Sequence, residues 1–292
     1  MSRAELETAR PSTGEGFADA VTLSWADDAR GLYGMARLGV ADGQGSALAV
    51  LFQGREAVAA LAQGGVEVAA GADWTSMALA GLSTTVEAPL ERWTFGWDGS
   101  EQGFALEVDA VAAPAELSAA EPVARLGGME GYEQLVRVRG TVRIGTDEVA
   151  VAGLGQRGHQ WGVADWSRLE LVRTVGAWLG EEQGGIVLSA LRPAGASGHA
   201  EEAVWSAIVE RGEPVQVFDP RLSTTYDGDG HQRRAGLELW LTEEDGYPVR
   251  AAGEVVCGSS LDLGALRLEL AFMRWHAEGT TGIGRYDLFR KA

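Results

Sequence analysis

Apolar residues recur at every second position in short runs along almost the whole of this chain, and glycine or acidic turns interrupt the runs before any reaches helical length. A period of two buries one face of a strand and leaves the other free, and it cannot build the single apolar stripe of a helix. Ala20-Val21-Thr22-Leu23-Ser24-Trp25 alternates in this way, and 32–40, 46–52, 104–111, 134–144 and 167–179 read as further strands. In 90–97, Trp93, Phe95 and Trp97 share one face. Asp42-Gly43-Gln44-Gly45, Asp98-Gly99 and Asp227-Gly228-Asp229-Gly230 are turn sequences, because glycine accepts the positive φ that tight hairpins require. No long amphipathic helix is expected. Residues 112–132 read as a long connection with room for a helical turn, and 1–16 as a loose arm. The expected class is all-β, built of sandwiches or barrels.

The hairpin at 36–52 is echoed at 176–191 by another strand, acidic turn and apolar strand. Two tandem β-domains would produce that echo, and so would chance likeness between hairpins. The division expected is 17–152 and 153–292, with a loop at 153–166 joining them.

Charge narrows the function. The 292 residues carry a net charge of −18 and a pI near 4.6, which repels nucleic acid and anionic membrane surfaces. No apolar run has the length of a membrane helix, so stable insertion is not expected. A polar start without an apolar signal core makes the cytoplasm the default compartment. The single cysteine, Cys257, allows neither an internal disulfide nor a cysteine metal cluster, and reads as a buried strand thiol.

The richest chemistry lies in Gly153-Leu154-Gly155-Gln156-Arg157-Gly158-His159-Gln160-Trp161-Gly162-Val163-Ala164-Asp165-Trp166. A cation, an imidazole, two indoles and a carboxylate sit between four glycines. His159 can act as a general acid or orient a ligand by hydrogen bonding, or simply tie a barrel wall together. Asp165 can hold the His159 ring or pair with Arg157. Trp161 and Trp166 offer π-faces to an apolar or cationic species, or pack between domains. Gly155 and Gly162 fit a bulge or a close strand approach. Ten tryptophans, Trp93 and Trp178 among them, are available to line a pocket. Asp227, Asp229 and His231 read as a polar hairpin tip rather than a metal site, His199 as a loop residue, and His276 as a late-strand residue.

The pattern Gly-x-Gly-x-Arg-x-His-x-Trp-Gly-x-x-Asp-Trp resembles the AttH-like, hydroxyneurosporene-synthase-like superfamily, in bacterial branches where an Arg-Asp-His-Ser-Trp-Gly core recurs. Glu87-Ala88-Pro89-Leu90-Glu91-Arg92-Trp93 and Tyr132-Glu133-Gln134 are similar to it as well. The resemblance implies two lipocalin-like antiparallel β-barrels packed side by side. It also implies a small apolar ligand, isoprenoid or polyene in kind, and hydration, cyclisation or isomerisation without a cofactor. On that reading His159, Asp165 and Arg157 are the catalytic candidates, and Trp161, Trp166, Gln160, Trp93 and Trp178 contact the ligand. A non-catalytic carrier on the same scaffold is the alternative. The chain departs from the pattern at Gly158, where the family has Asp, and at Gln160, where it has Ser.

Overall fold

The structure is a computed structural model that describes residues 3–69, 71–196, 198 and 201–292. His199 lies outside the described residues. The first sheet is built from β1 (Phe17–Asp27), β2 (Leu32–Ala41), β3 (Gln44–Gln53), β4 (Glu56–Glu67), β5 (Ser76–Leu79), β6 (Leu82–Ala88), β7 (Arg92–Asp98), β8 (Gln102–Ala110), β9 (Ala115–Leu117), β10 (Met129–Ile144) and β11 (Asp147–Val163). Its order is β4-β3-β2-β1-β11-β10-β8-β7-β6-β5, with β9 attached to β10. A short helix, α1 (Pro122–Gly127), lies in the connection before β10.

The second sheet contains β12 (Leu169–Gly180), β13 (Gly184–Pro193), β14 (Ala203–Val209), β15 (Val215–Gln216), β16 (Asp219–Tyr226), β17 (Gln232–Trp240), β18 (Val249–Asp262), β19 (Leu266–Ala277) and β20 (Thr280–Lys291). Its order is β15-β14-β13-β12-β20-β19-β18-β17-β16. Both sheets are antiparallel and curled, the first into a nearly closed barrel and the second into a half-barrel, a lipocalin-like architecture. In each, the first strand pairs with the second and with the last, so the two halves share one topology. The sequence echo is therefore offset by one strand: 36–52 spans β2 and β3, whereas 176–191 spans β12 and β13, the counterparts of β1 and β2.

Alternation decides which residues are buried. In β7, Trp93, Phe95 and Trp97 turn into the first barrel with Val21, Leu23 and Trp25 of β1. A separate core fills the concave side of the second sheet around Met273, Trp275 and Tyr286. Between the sheets Tyr33, Val50 and Phe52 meet Trp178, Trp205 and Phe272. Phe272 is fully buried there, with ring centroids 5.4 Å from Tyr33, 5.9 Å from Phe52 and 6.3 Å from Trp178. An aromatic side chain buried this way contributes roughly 1.5–3 kcal/mol, so the halves are joined by a third core.

Three expectations change. The run 153–163 is strand, not loop: it is the second half of β11, and the chain leaves the first sheet at Val163 before entering the second at Leu169. A division at 152/153 cuts through β11. The glycines, as read for Gly155 and Gly162, mark close approach: a Cβ at Gly155 would lie 2.4 Å from the Ser24 carbonyl oxygen, and Gly162 has φ +142°. Nor is 1–16 wholly a loose arm, because Arg3–Glu7 forms a 3-10 helix and Leu6 and Glu7 are buried.

Candidate functional site

Strand β11 carries the motif at the centre of the first sheet, paired with β1 on one side and β10 on the other. Because side chains alternate across a strand, the motif is split between two environments. Arg157, His159 and Trp161 point into the first barrel. Gln156, Gly158 and Gln160 face the second sheet.

Inside the barrel, Arg157 meets a carboxylate from the far N-terminus. Its Nη2 lies 2.7 Å and its Nη1 3.1 Å from the two oxygens of Glu7. The Trp93 Nε1 and Tyr132 hydroxyl each donate to Glu7 Oε1 at 3.0 Å, and the Leu90 backbone N–H donates at 3.2 Å. The guanidinium also lies 4.5 Å over the Trp93 ring and contacts the Tyr132 hydroxyl. Burial pushes the Tyr132 phenol well above its ordinary range, which keeps it a neutral donor.

His159 is fully buried one turn of the pleat away. Its Nδ1 lies 2.7 Å from the Leu6 carbonyl oxygen and its Nε2 2.6 Å from Asp19 Oδ1. A carbonyl can only accept, so Nδ1 carries a proton. The proton between Nε2 and Asp19 then makes the ring an imidazolium beside a carboxylate, or a neutral imidazole beside an acid. Asp19 also accepts from Trp74 Nε1 at 2.8 Å and from the Arg10 backbone N–H at 2.9 Å. Trp161 contacts the His159 ring edge-on at 5.2 Å and carries the Arg10 guanidinium 4.0 Å over its face.

On the opposite face Glu133 of β10 stands directly across from Gly158. A Cβ at position 158 would lie 2.5 Å from the Glu133 carboxylate. A carboxylate from the neighbouring strand thus occupies the space over Gly158, the position where the resembled pattern has Asp. Gln156 donates to Glu133 at 2.7 Å and Gln160 at 3.3 Å, and Arg285 of β20 lies 3.6 Å away. Trp178 Nε1 donates to Gln156 at 3.2 Å, and Arg285 to the Ser24 hydroxyl at 3.2 Å, which closes a polar seam between the sheets.

Asp287, beside Arg285 in this seam, has its carboxyl pushed up to about 6 from an ordinary 3.8, chiefly by burial and partly relieved by Arg285. A carboxyl whose folded value is raised stabilises the fold while it stays protonated, and that contribution is lost as pH climbs from about 4 to about 6. Asp287→Asn is expected to flatten this stretch of the stability profile by roughly 2–3 kcal/mol. Urea midpoints measured at pH 4, 5, 6 and 7 check it; an unchanged slope would contradict the burial of this group.

The residues singled out in the sequence therefore separate. Arg157, His159, Trp161 and Trp93 converge in the barrel, whereas Gln160 and Trp178 belong to the seam. Asp165 joins neither Arg157 nor His159: it accepts from the backbone N–H and hydroxyl of Ser167, bonds that hold its carboxyl below the usual range. The chain has left the sheet by that point, and Trp166 packs at the margin of the core between the sheets. The partners expected of Asp165 are instead Glu7 for Arg157 and Asp19 for His159. Glu7, Asp19 and Glu133 were not singled out in the sequence, and Trp74 only as one of ten tryptophans; Glu133 had a signal, since Tyr132-Glu133-Gln134 belongs to the resemblance. At the 227–231 hairpin, ligand atoms of Asp227, Asp229 and His231 lie within 4.8 Å of one another, and Asp227 is engaged by the backbone N–H groups of Asp229 and His231. Burial raises the Cys257 thiol to about 12, as suits a buried thiol in a strand. Among the described residues no helix is long and apolar enough to cross a membrane.

Fold and cluster together define a two-sheet, lipocalin-like protein with ionic and imidazole groups sealed inside one barrel. The chain belongs to the family described as a domain of unknown function (DUF7064), which matches residues 3–289. It has the fold of the AttH-like superfamily. A protein assigned as AttH from Nitrosomonas europaea superposes with a TM-score of 0.67 at 10% identity, covering 97% of this chain and 95% of that one. Kievitone hydratase from Nectria haematococca gives 0.67 at 11%, covering 99% and 92%. CghA with Sch210972 gives 0.65 at 13%, covering 95% and 89%. No curated protein matches the sequence.

Proposed function

We propose that this protein takes a small apolar molecule into the first barrel and moves a proton on it without a cofactor, in a hydration, cyclisation or isomerisation. The observation that supports this reading is the buried His159–Asp19 pair, set 2.6 Å apart among Trp74, Tyr132 and Trp161. Asp19 orients the ring and balances its charge. Nδ1, now turned to the Leu6 carbonyl, is the nitrogen a ligand atom can take over. From there the ring can protonate an alkene or carbonyl and later recover the proton. Arg157 and Tyr132 fix a polar end of the ligand, and the indole faces stabilise a developing cation. Asp165, proposed from the motif, has no part in this scheme. A hydratase sharing the fold makes a lyase-type activity a natural choice.

A carrier without turnover is the second reading, favoured because both His159 nitrogens and the Glu7 carboxylate are already satisfied by protein groups. The two are separated by incubating wild type and His159→Ala with apolar extracts and analysing what is retained by mass spectrometry. The catalytic reading expects a product isomeric with a consumed compound, or heavier by one water, whose formation falls at least a hundred-fold in His159→Ala while ligand retention persists. Retention without product in both proteins favours the carrier.

A further inference from the structure

The contacts of Glu7 have the form of a ligand in a receptor. Its carboxylate takes donors from β7 (Trp93), from the turn before it (Leu90), from β10 (Tyr132, whose hydroxyl lies at 3.0 Å) and from β11 (Arg157). All belong to the barrel wall. Leu90 holds φ +60°, a conformation leucine rarely adopts, and Gln134 of β10 pins its carbonyl at 3.0 Å. Glu7 itself belongs to no sheet. It ends a five-residue 3-10 helix that is joined to β1 by polar chain. The same segment seals His159 through the Leu6 carbonyl and covers Trp161 with Arg10.

We infer that residues 3–10 are an internal stand-in ligand, and that the molecule bound in this barrel is a monocarboxylate with an apolar body that displaces Glu7 and Leu6. The inference rests on the reading of the first barrel as the ligand site. Charge selects the class. Arg157 is 1% exposed, so an uncharged occupant that expelled Glu7 would leave a buried cation unpaired. Among the described residues Arg157 Nε has no acceptor, so a donor is left for such a ligand. The net charge of −18 works against polyanions, which leaves a single carboxylate on an apolar chain. Displacement also frees His159 Nδ1 from Leu6, so the acid is unmasked only when the cradle is filled.

The test uses the full chain carrying Glu7→Ala, with Glu7→Gln as the variant that keeps the side chain's size. Linear monocarboxylates from acetate to octanoate, and their methyl esters, are added while thermal unfolding is followed. Acids are expected to raise the melting temperature of Glu7→Ala and not that of wild type at low concentration. Each added methylene should tighten binding about three- to four-fold. In wild type, saturating octanoate should increase hydrogen exchange at the backbone amides of residues 8–10. Esters that work as well as acids would overturn the carboxylate inference and leave the apolar site standing. Rescue by acetate that does not improve with chain length would reduce Glu7 to a structural ion pair and overturn the inference. No effect of acid or ester on either variant would overturn this inference and the ligand site together.

Discussion

Arg157→Met will destabilise the protein by about 3–5 kcal/mol, the cost of leaving one member of a buried ion pair without its partner. Glu7 is 4% exposed, and three neutral donors, from Trp93, Tyr132 and Leu90, do not replace a guanidinium that grips both of its oxygens. The stacking of Arg157 on Trp93 is lost as well and adds to the deficit. Removing both charges in Arg157→Met/Glu7→Leu should recover more than half of the loss, because apolar groups of similar volume often substitute for a buried pair at little cost. Urea unfolding of the two single variants and the double variant gives the coupling energy directly. Additive single effects would mean that Glu7 does not sit against Arg157 and that the N-terminal segment does not seal the barrel.

Gly158→Asp, which installs the Asp of the AttH-like pattern that the motif resembles, is expected to weaken the fold by roughly 2–4 kcal/mol. The new Cβ would lie 2.8 Å from the Glu133 carboxyl carbon, and the added carboxylate would stand beside an existing one. Glu133 can swing clear only by giving up Gln156 and Gln160, and it is 8% exposed. Glu133→Ala alone should cost about 1–3 kcal/mol through the donors it strands. In combination with Gly158→Asp it should restore most of the stability, since one acid then serves the same seam from the other strand. Tolerance of Gly158→Asp in the presence of Glu133 would show that the space over Gly158 is not filled as described.

Much of the fold was legible in the sequence because burial in a sheet is written locally. Trp93, Phe95 and Trp97 alternate in the chain and line one wall of the barrel for that reason alone. Asp42-Gly43 makes its hairpin, with both residues at positive φ, and α1 falls in the connection expected to hold a helical turn. The glycine-rich run misled because glycine lowers strand propensity whether the backbone needs freedom or merely room. At Gly158 the space is taken by a side chain from β10, and no residue near it in sequence records this.

The motif shows the same division. The sequence by itself supplied the spacing of two between Arg157, His159 and Trp161, but only the strand found in place of the expected loop puts them on one face. The sequence could not determine what they face. Glu7 is 150 positions from Arg157 and Asp19 is 140 from His159. A buried charge needs a partner, but that requirement carries no sequence separation, so any carboxylate can meet it. Asp165 was near in the chain and chemically suitable, yet the strand ends before it. Only the tertiary structure, by curling β1 and β7 around β11 and folding the N-terminal segment into the barrel, decided which acids complete the site.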